Sequence, residues 1–267
     1  MNARLRNRLL LGAPVLALVV AAASVLLESP SPDRVLNASL ASVGLVLIWG
    51  VAVAVRLRYP ERPLGSMLFL LAGAYAVQTL LSSPNPYLFT LAHVTRPAVE
   101  LLLFWIMLAF PSGRLHGQPE RLLIAGSIFV VFLLWLPGLL LSPTLNLGGP
   151  FVQCTPLCPR NVLFVADWPV VSRFLHQAFR ATAVLILLAA GTLLFIRLRR
   201  ATPLLRRALA PILLASIART LAVSVFLLTD GNFLALPLTF LAVPLAIALG
   251  LLRGRLYSAR ALQTLVT

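Results

Sequence analysis

The residues that could carry chemistry are charges set inside otherwise apolar stretches. In Tyr87–Leu115 (YLFTLAHVTRPAVELLLFWIMLAFPSGRL), His93, Arg96 and Glu100 recur at i, i+3 and i+7, which places them on one face of a helix. Pro97 lies among them and predicts a kink, because it removes a backbone donor. Arg219 stands alone in the middle of a second apolar stretch, Ala208–Leu228. A charge in a membrane helix costs several kcal/mol unless it is paired, so each of these positions is a candidate site. Arg219 is twelve residues past Arg207, and Glu100 is eleven before Pro111. At about 1.5 Å per residue both sit roughly 16–18 Å from the same membrane face. Equal depth and opposite sign predict a Glu100–Arg219 ion pair, with Arg96 able to join from one turn above. Such a pair either only locks two helices in register or floors a cavity for a ligand or a proton. Asn37, Gln78, Thr79 and His93 fall toward the same outer half. For His93 and Arg96 the alternative is a place at the outer interface, with their tips among headgroups.

Other chemistries find little support. The histidines are His93, His116 and His176, and none stands in a metal-binding H-E-x-x-H spacing. No nucleophile elbow, phosphate-binding loop or dinucleotide fingerprint occurs. Ser112-Gly113, with His116 four residues on, reads as a helix stop within Phe110-Pro111-Ser112-Gly113-Arg114, where Pro and Gly end the helix and Arg114 marks the membrane surface. No catalytic residue, resident metal or cofactor is expected. Cys154 and Cys158 fall in an outer loop, where oxidation is permitted, and a short-loop disulfide is the expectation. A metal held by the two cysteines and His176 is the weaker alternative.

The elements that must position these groups follow from composition. Hydrophobic types make up 60% of 267 residues and the mean hydropathy is +0.97, far above a soluble domain. All 22 basic residues are arginine, against 7 acids, for a formal charge of +15. Alone, that excess would suggest nucleic acid. The arginines lie between long apolar runs, so the bilayer is the expected partner and nucleic acid is not. The expected fold is all-α: a polytopic helical bundle over 1–252, with a cytoplasmic helical tail over 253–267. Eight spans are predicted near 9–27, 35–55, 64–81, 87–110, 122–141, 178–196, 208–228 and 234–252, with an outer loop over 142–177. Under this scheme sixteen arginines fall on one side and five on the other, which puts both termini in the cytoplasm. The first span reads as an anchor helix, although an arginine-rich start before an apolar run also describes a signal peptide. Leu252, Ala259 and Val266 repeat every seven residues in the tail, as in the start of a coiled-coil seam.

Four stretches resemble the N-terminal membrane region of actinobacterial two-component sensor histidine kinases. They are Ala109–Leu115 (AFPSGRL), Cys154–Val165 (CTPLCPRNVLFV), Leu205–Ala215 (LRRALAPILLA) and Val243–Ala261 (VPLAIALGLLRGRLYSARA). The likeness covers most of the chain from the fourth span onward. Three residues separate the cysteines here, where the family has two. The resemblance implies a membrane-embedded sensor in a bacterial cell membrane, whose last span leads toward a phosphoacceptor hairpin and an ATP-binding domain. Neither lies in these 267 residues, so the expectation is a signal-input module, truncated or stand-alone, and not an enzyme in itself. Its partners would be a second copy or a kinase module, reached through the tail. The alternative is a small-solute transporter or channel, with Glu100 and Arg219 as coupling charges. Against it stands the lack of an inverted repeat.

Overall fold

The computed structural model describes residues 3–29, 33–110, 112–115, 117–145, 158–229 and 236–250. Eight helices order these residues: α1 (Ala3–Leu27), α2 (Arg34–Arg58), α3 (Leu64–Gln78), α4 (Pro86–Ala109), α5 (Gln118–Leu140), α6 (Pro169–Arg200), α7 (Pro203–Thr229) and α8 (Leu236–Gly250). A 3-10 turn, Thr79–Ser82, extends α3. Among the described residues the only strand-like pairing is one bridge, Thr144 with Arg160. Six of the helices are long and apolar enough to cross a membrane, from α2 to α7, while Ala13–Leu27 and Leu236–Gly250 are shorter apolar helices. These are the dimensions of a multi-pass membrane protein. The two shorter helices occupy the places expected for the first and eighth spans.

Large apolar side chains face outward all round the bundle, among them Leu70, Phe129, Phe132, Leu185, Leu214 and Leu228. In water such a surface would be costly; in hydrocarbon it is solvated. Inside, successive helices pack side by side from α1 to α4 and again from α5 to α7, and α4 touches both sets. α8 enters the same core through Phe240, Val243, Ala246 and Ile247, and Phe240 stacks on Tyr75 of α3 at 4.3 Å.

The element ends explain themselves locally. Asn85 caps α4 by accepting from the Tyr87 and Leu88 amides, with Pro86 at the first helical position. The carboxylate of Glu120 accepts from the Gly117 N–H at the start of α5. The last turn of α6 carries Arg197, Arg199 and Arg200, where cations complement the helix dipole. Arg197 donates to Leu108 O at 2.9 Å, so the ends of α4 and α6 meet on one side. The helix α6 begins at Pro169, well before the expected Ala178, so the C-terminal part of the predicted loop 142–177 is helical.

The described remainder of that loop is fastened by Asn161. Its side chain is buried and donates to Leu139 O at 2.7 Å and Ser142 O at 2.8 Å, closing the chain over the end of α5. Cys158 packs beside Phe89, Trp135 and Leu139 and is disulfide-bonded. Cys154, the other half of the expected bridge, lies outside the described residues, as do Pro111 and the tail 253–267.

Of the turn after α4, Phe110, Ser112, Gly113 and Arg114 are described. Gly113 has φ +79° and its N–H donates to Ala109 O at 2.8 Å, which ends the helix in left-handed backbone. A Cβ here would come within 2.7 Å of Leu64 N, at the start of α3. Ser112 Oγ binds backbone within the same turn, accepting from the Arg114 amide at 3.1 Å. The motif is therefore a tight connection between α4 and α3. Gly113→Ala should lower stability by about 1–3 kcal/mol, read as a fall in thermal midpoint of the detergent-solubilised protein. An unchanged midpoint would mean that the close approach of Gly113 to Leu64 is not made.

Candidate functional site

Proline shapes the upper half of the site. Pro97 has no N–H, so the carbonyl four residues back, that of His93, loses its helical donor. Nevertheless α4 continues through it, and the orphaned oxygen accepts from Trp135 Nε1 of α5 at 3.3 Å. Inside a bilayer a freed backbone carbonyl needs such a partner from a neighbouring helix. Trp135 is delivered by a single π turn, Val131–Trp135, in α5. Turns of this kind recur at functional sites.

Below lies the ion pair. Arg219 Nη2 of α7 donates to Glu100 Oε1 of α4. Arg219 Nη1 donates to Leu236 O of α8 and lies 3.4 Å from Thr239 Oγ1, while the guanidinium stands 5.5 Å over the Phe240 ring. The Arg219 side chain is 7% exposed and that of Glu100 38%, because the carboxylate fronts an open space.

That space is a cavity of about 170 Å³ walled by α3 to α8. Charged groups on the wall are Arg96, Glu100, Arg180 and Arg219; Tyr75, Gln78, Ser127 and His176 add polar atoms. Aromatic rings make up much of the remainder: Phe104, Trp135, Phe179, Phe226 and Phe240. Arg96 lies 5.8 Å over the Phe226 ring and within electrostatic reach of both Glu100 and Arg180.

The structure thus brings together Glu100, Arg219 and Arg96, and adds Gln78. His93 does not join them. It is fully buried against Phe89, with Nδ1 3.1 Å from Phe89 O, and it is absent from the cavity wall. Thr79 is likewise turned to its own helix, its Oγ1 donating to Ala76 O, and Asn37 is not on the wall. Arg180 and His176 are the wall residues missed in sequence. His176 fell in the predicted loop 142–177 and stood only as a weak metal-ligand alternative, and the start of α6 at Pro169 makes this stretch helical and brings both side chains to the cavity. Gly138 lets the His176 ring lie close, since a Cβ at that glycine would meet the ring at 3.2 Å.

Chemically the wall presents donors. Ser127 Oγ is spent on Leu123 O, and His176 Nδ1 on Ser172 O at 2.8 Å. Among the described residues no His, Cys, Asp and Glu side chains converge as metal ligands. Guanidinium groups repel cations and recognise oxyanions.

Fold and site together define a polytopic helical membrane protein with an arginine-bearing cavity between its helices. No protein-family model, curated protein or solved structure matches the chain.

Two measurements follow from these contacts. Removing one partner of a buried ion pair strands the other, at about 3–5 kcal/mol when both are sequestered. Glu100 is partly open and Arg219 keeps Leu236 O, so Glu100→Gln should fall at or below the lower end. Arg219→Leu should also destabilise, and the double change should recover much of either loss because the effects are coupled. Simple additivity in thermal melts would show that the pair is not made. Trp135→Phe should cost about 1 kcal/mol. That cost should shrink in a Pro97→Ala background, where the restored N–H at position 97 serves His93 O. An undiminished cost would break the link between proline and indole.

Proposed function

We propose that this chain is a membrane-embedded signal-input region of the kind found in two-component sensor kinases, in a bacterial cell membrane. The observation that carries this reading is the linkage of the cavity to α8. Arg219 on the cavity floor binds Leu236 O and Thr239 Oγ1 of α8, and the next ring along, Phe240, stacks on Tyr75 of the wall. Whatever occupies the cavity therefore bears on the position of the last described helix. That helix leads toward the tail through which a kinase module or a second copy would be engaged.

In the same reading the bundle has eight spans, with α1 and α8 completing the six long ones, and both termini are cytoplasmic. The bias of arginines supports this orientation. The meeting of the α4 and α6 ends through Arg197 and Leu108 puts these two helices in the same direction, as the alternation of spans requires.

The test is a chimera in which the chain, through Thr267, drives a dimeric histidine kinase module in vesicles. Phe240→Ala and Glu100→Gln should each change autophosphorylation at least several-fold relative to the unaltered chimera. No change in either, with the proteins folded, removes the sensory role. A transporter would use Glu100 and Arg219 as coupling charges, and it predicts solute uptake by the isolated chain in proteoliposomes. For topology, a membrane-impermeant thiol reagent applied to intact cells should not label Ser258→Cys; labelling would place the tail outside.

A further inference from the structure

We propose that the cavity is a binding site for a small amphiphilic carboxylate, its oxyanion held by the guanidinium groups and its apolar body seated among the rings. The proposal deepens the sensory reading by naming the class of ligand at that same site.

Charge comes first. Three guanidinium groups, those of Arg96, Arg180 and Arg219, share the wall with one carboxylate among its described residues. Arg96 and Arg180 make interactions of their own, and Arg219 holds Glu100. A guanidinium carries five N–H donors, so one partner does not exhaust it. Arg219 shows that neighbouring groups do not use every donor: its Nε–H, enclosed within the bundle rather than facing the cavity, has no hydrogen-bond partner among the described residues. Donors of this kind, held in an apolar bundle, are matched by a planar oxyanion that takes two N–H groups at once.

Shape and wall chemistry narrow the class. Inorganic anions are disfavoured, because a bare phosphate or sulfate would lose its water against Phe104, Phe179 and Phe226 without apolar compensation. A volume of about 170 Å³ is close to the roughly 150 Å³ apolar cavity that takes up benzene. One ring or a short chain fills it; a phospholipid would have to leave most of its bulk outside. The π turn in α5 brings Trp135 to the wall, where its ring adds to the apolar surface a ligand's body would meet.

The experiment measures equilibrium binding of radiolabelled benzoate to the full chain in neutral phosphatidylcholine nanodiscs. Saturable one-to-one binding is expected, with benzyl alcohol failing to compete. Arg180→Gln, which removes a wall charge that is not a member of the Glu100–Arg219 pair, should weaken binding about tenfold or more. Ala183→Phe, which fills the space from α6, should abolish it, with thermal midpoints used to confirm that both variants are folded. Absence of saturable binding, equal competition by benzyl alcohol, or retained affinity in both folded variants would overturn the proposal. Loss of benzoate binding in phosphatidylglycerol nanodiscs would assign the site to a lipid headgroup and overturn a free carboxylate. Benzoate binding without a response in the kinase chimera would leave this site standing and remove the sensory reading. A response without binding would do the reverse.

Discussion

One guanidinium group has to be satisfied in the middle of an apolar bundle, and much of the arrangement around it answers that requirement. Arg219 is almost wholly buried, so neighbouring helices take up most of its donors. α4 supplies the Glu100 carboxylate, and α8 supplies the Leu236 carbonyl and the Thr239 hydroxyl. Phe240, one residue beyond Thr239, offers its ring face and stacks in turn on Tyr75 of α3. Four helices are thus oriented by contacts that start at a single side chain. Apolar packing alone is a weak organiser within lipid, since chain and solvent are equally oily. A directional, charge-assisted contact gives the register that packing leaves loose.

Backbone accounting repeats the theme at a smaller scale. Pro97 removes one donor from α4, and the vacant carbonyl of His93 is taken by an indole from α5. Asn161 closes the same kind of gap, serving carbonyls freed where α5 ends. Both residues act between elements, and both are read easily as isolated oddities in a sequence. In the structure each is the donor or the cause of a donor that the hydrocarbon interior demands.

What the sequence made legible was whatever depends on length, polarity and depth along one helix. Apolar runs located the helices, and counting residues from Pro111 and Arg207 placed Glu100 and Arg219 at one level, where the ion pair is found. Facing directions were less accessible. His93 shares a helical stripe with Arg96 and Glu100, yet it turns into a dry contact with Phe89 and not toward the cavity. Arg180 and His176 were hidden because the helix start at Pro169 is marked by few cues, a proline after a tryptophan. Gly113 was visible as a helix stop, but its close approach to Leu64 is a tertiary fact that no local pattern carries.

The helix α6 stands apart in how little of it is covered. Only 11% of its most apolar window is buried, the least of the six long helices, although its inner side supplies Arg180, Phe179 and His176 to the cavity. Mutational tolerance should therefore be lopsided along this one element. On the outer face Leu185, Leu188 and Phe195 need only remain greasy, and their identities can drift with little effect on folding. The inner residues are bound by shape and charge, down to the missing methyl at Gly138 that admits an imidazole. Divergent copies of such a chain would keep one narrow line through α6 while the rest of the helix is rewritten.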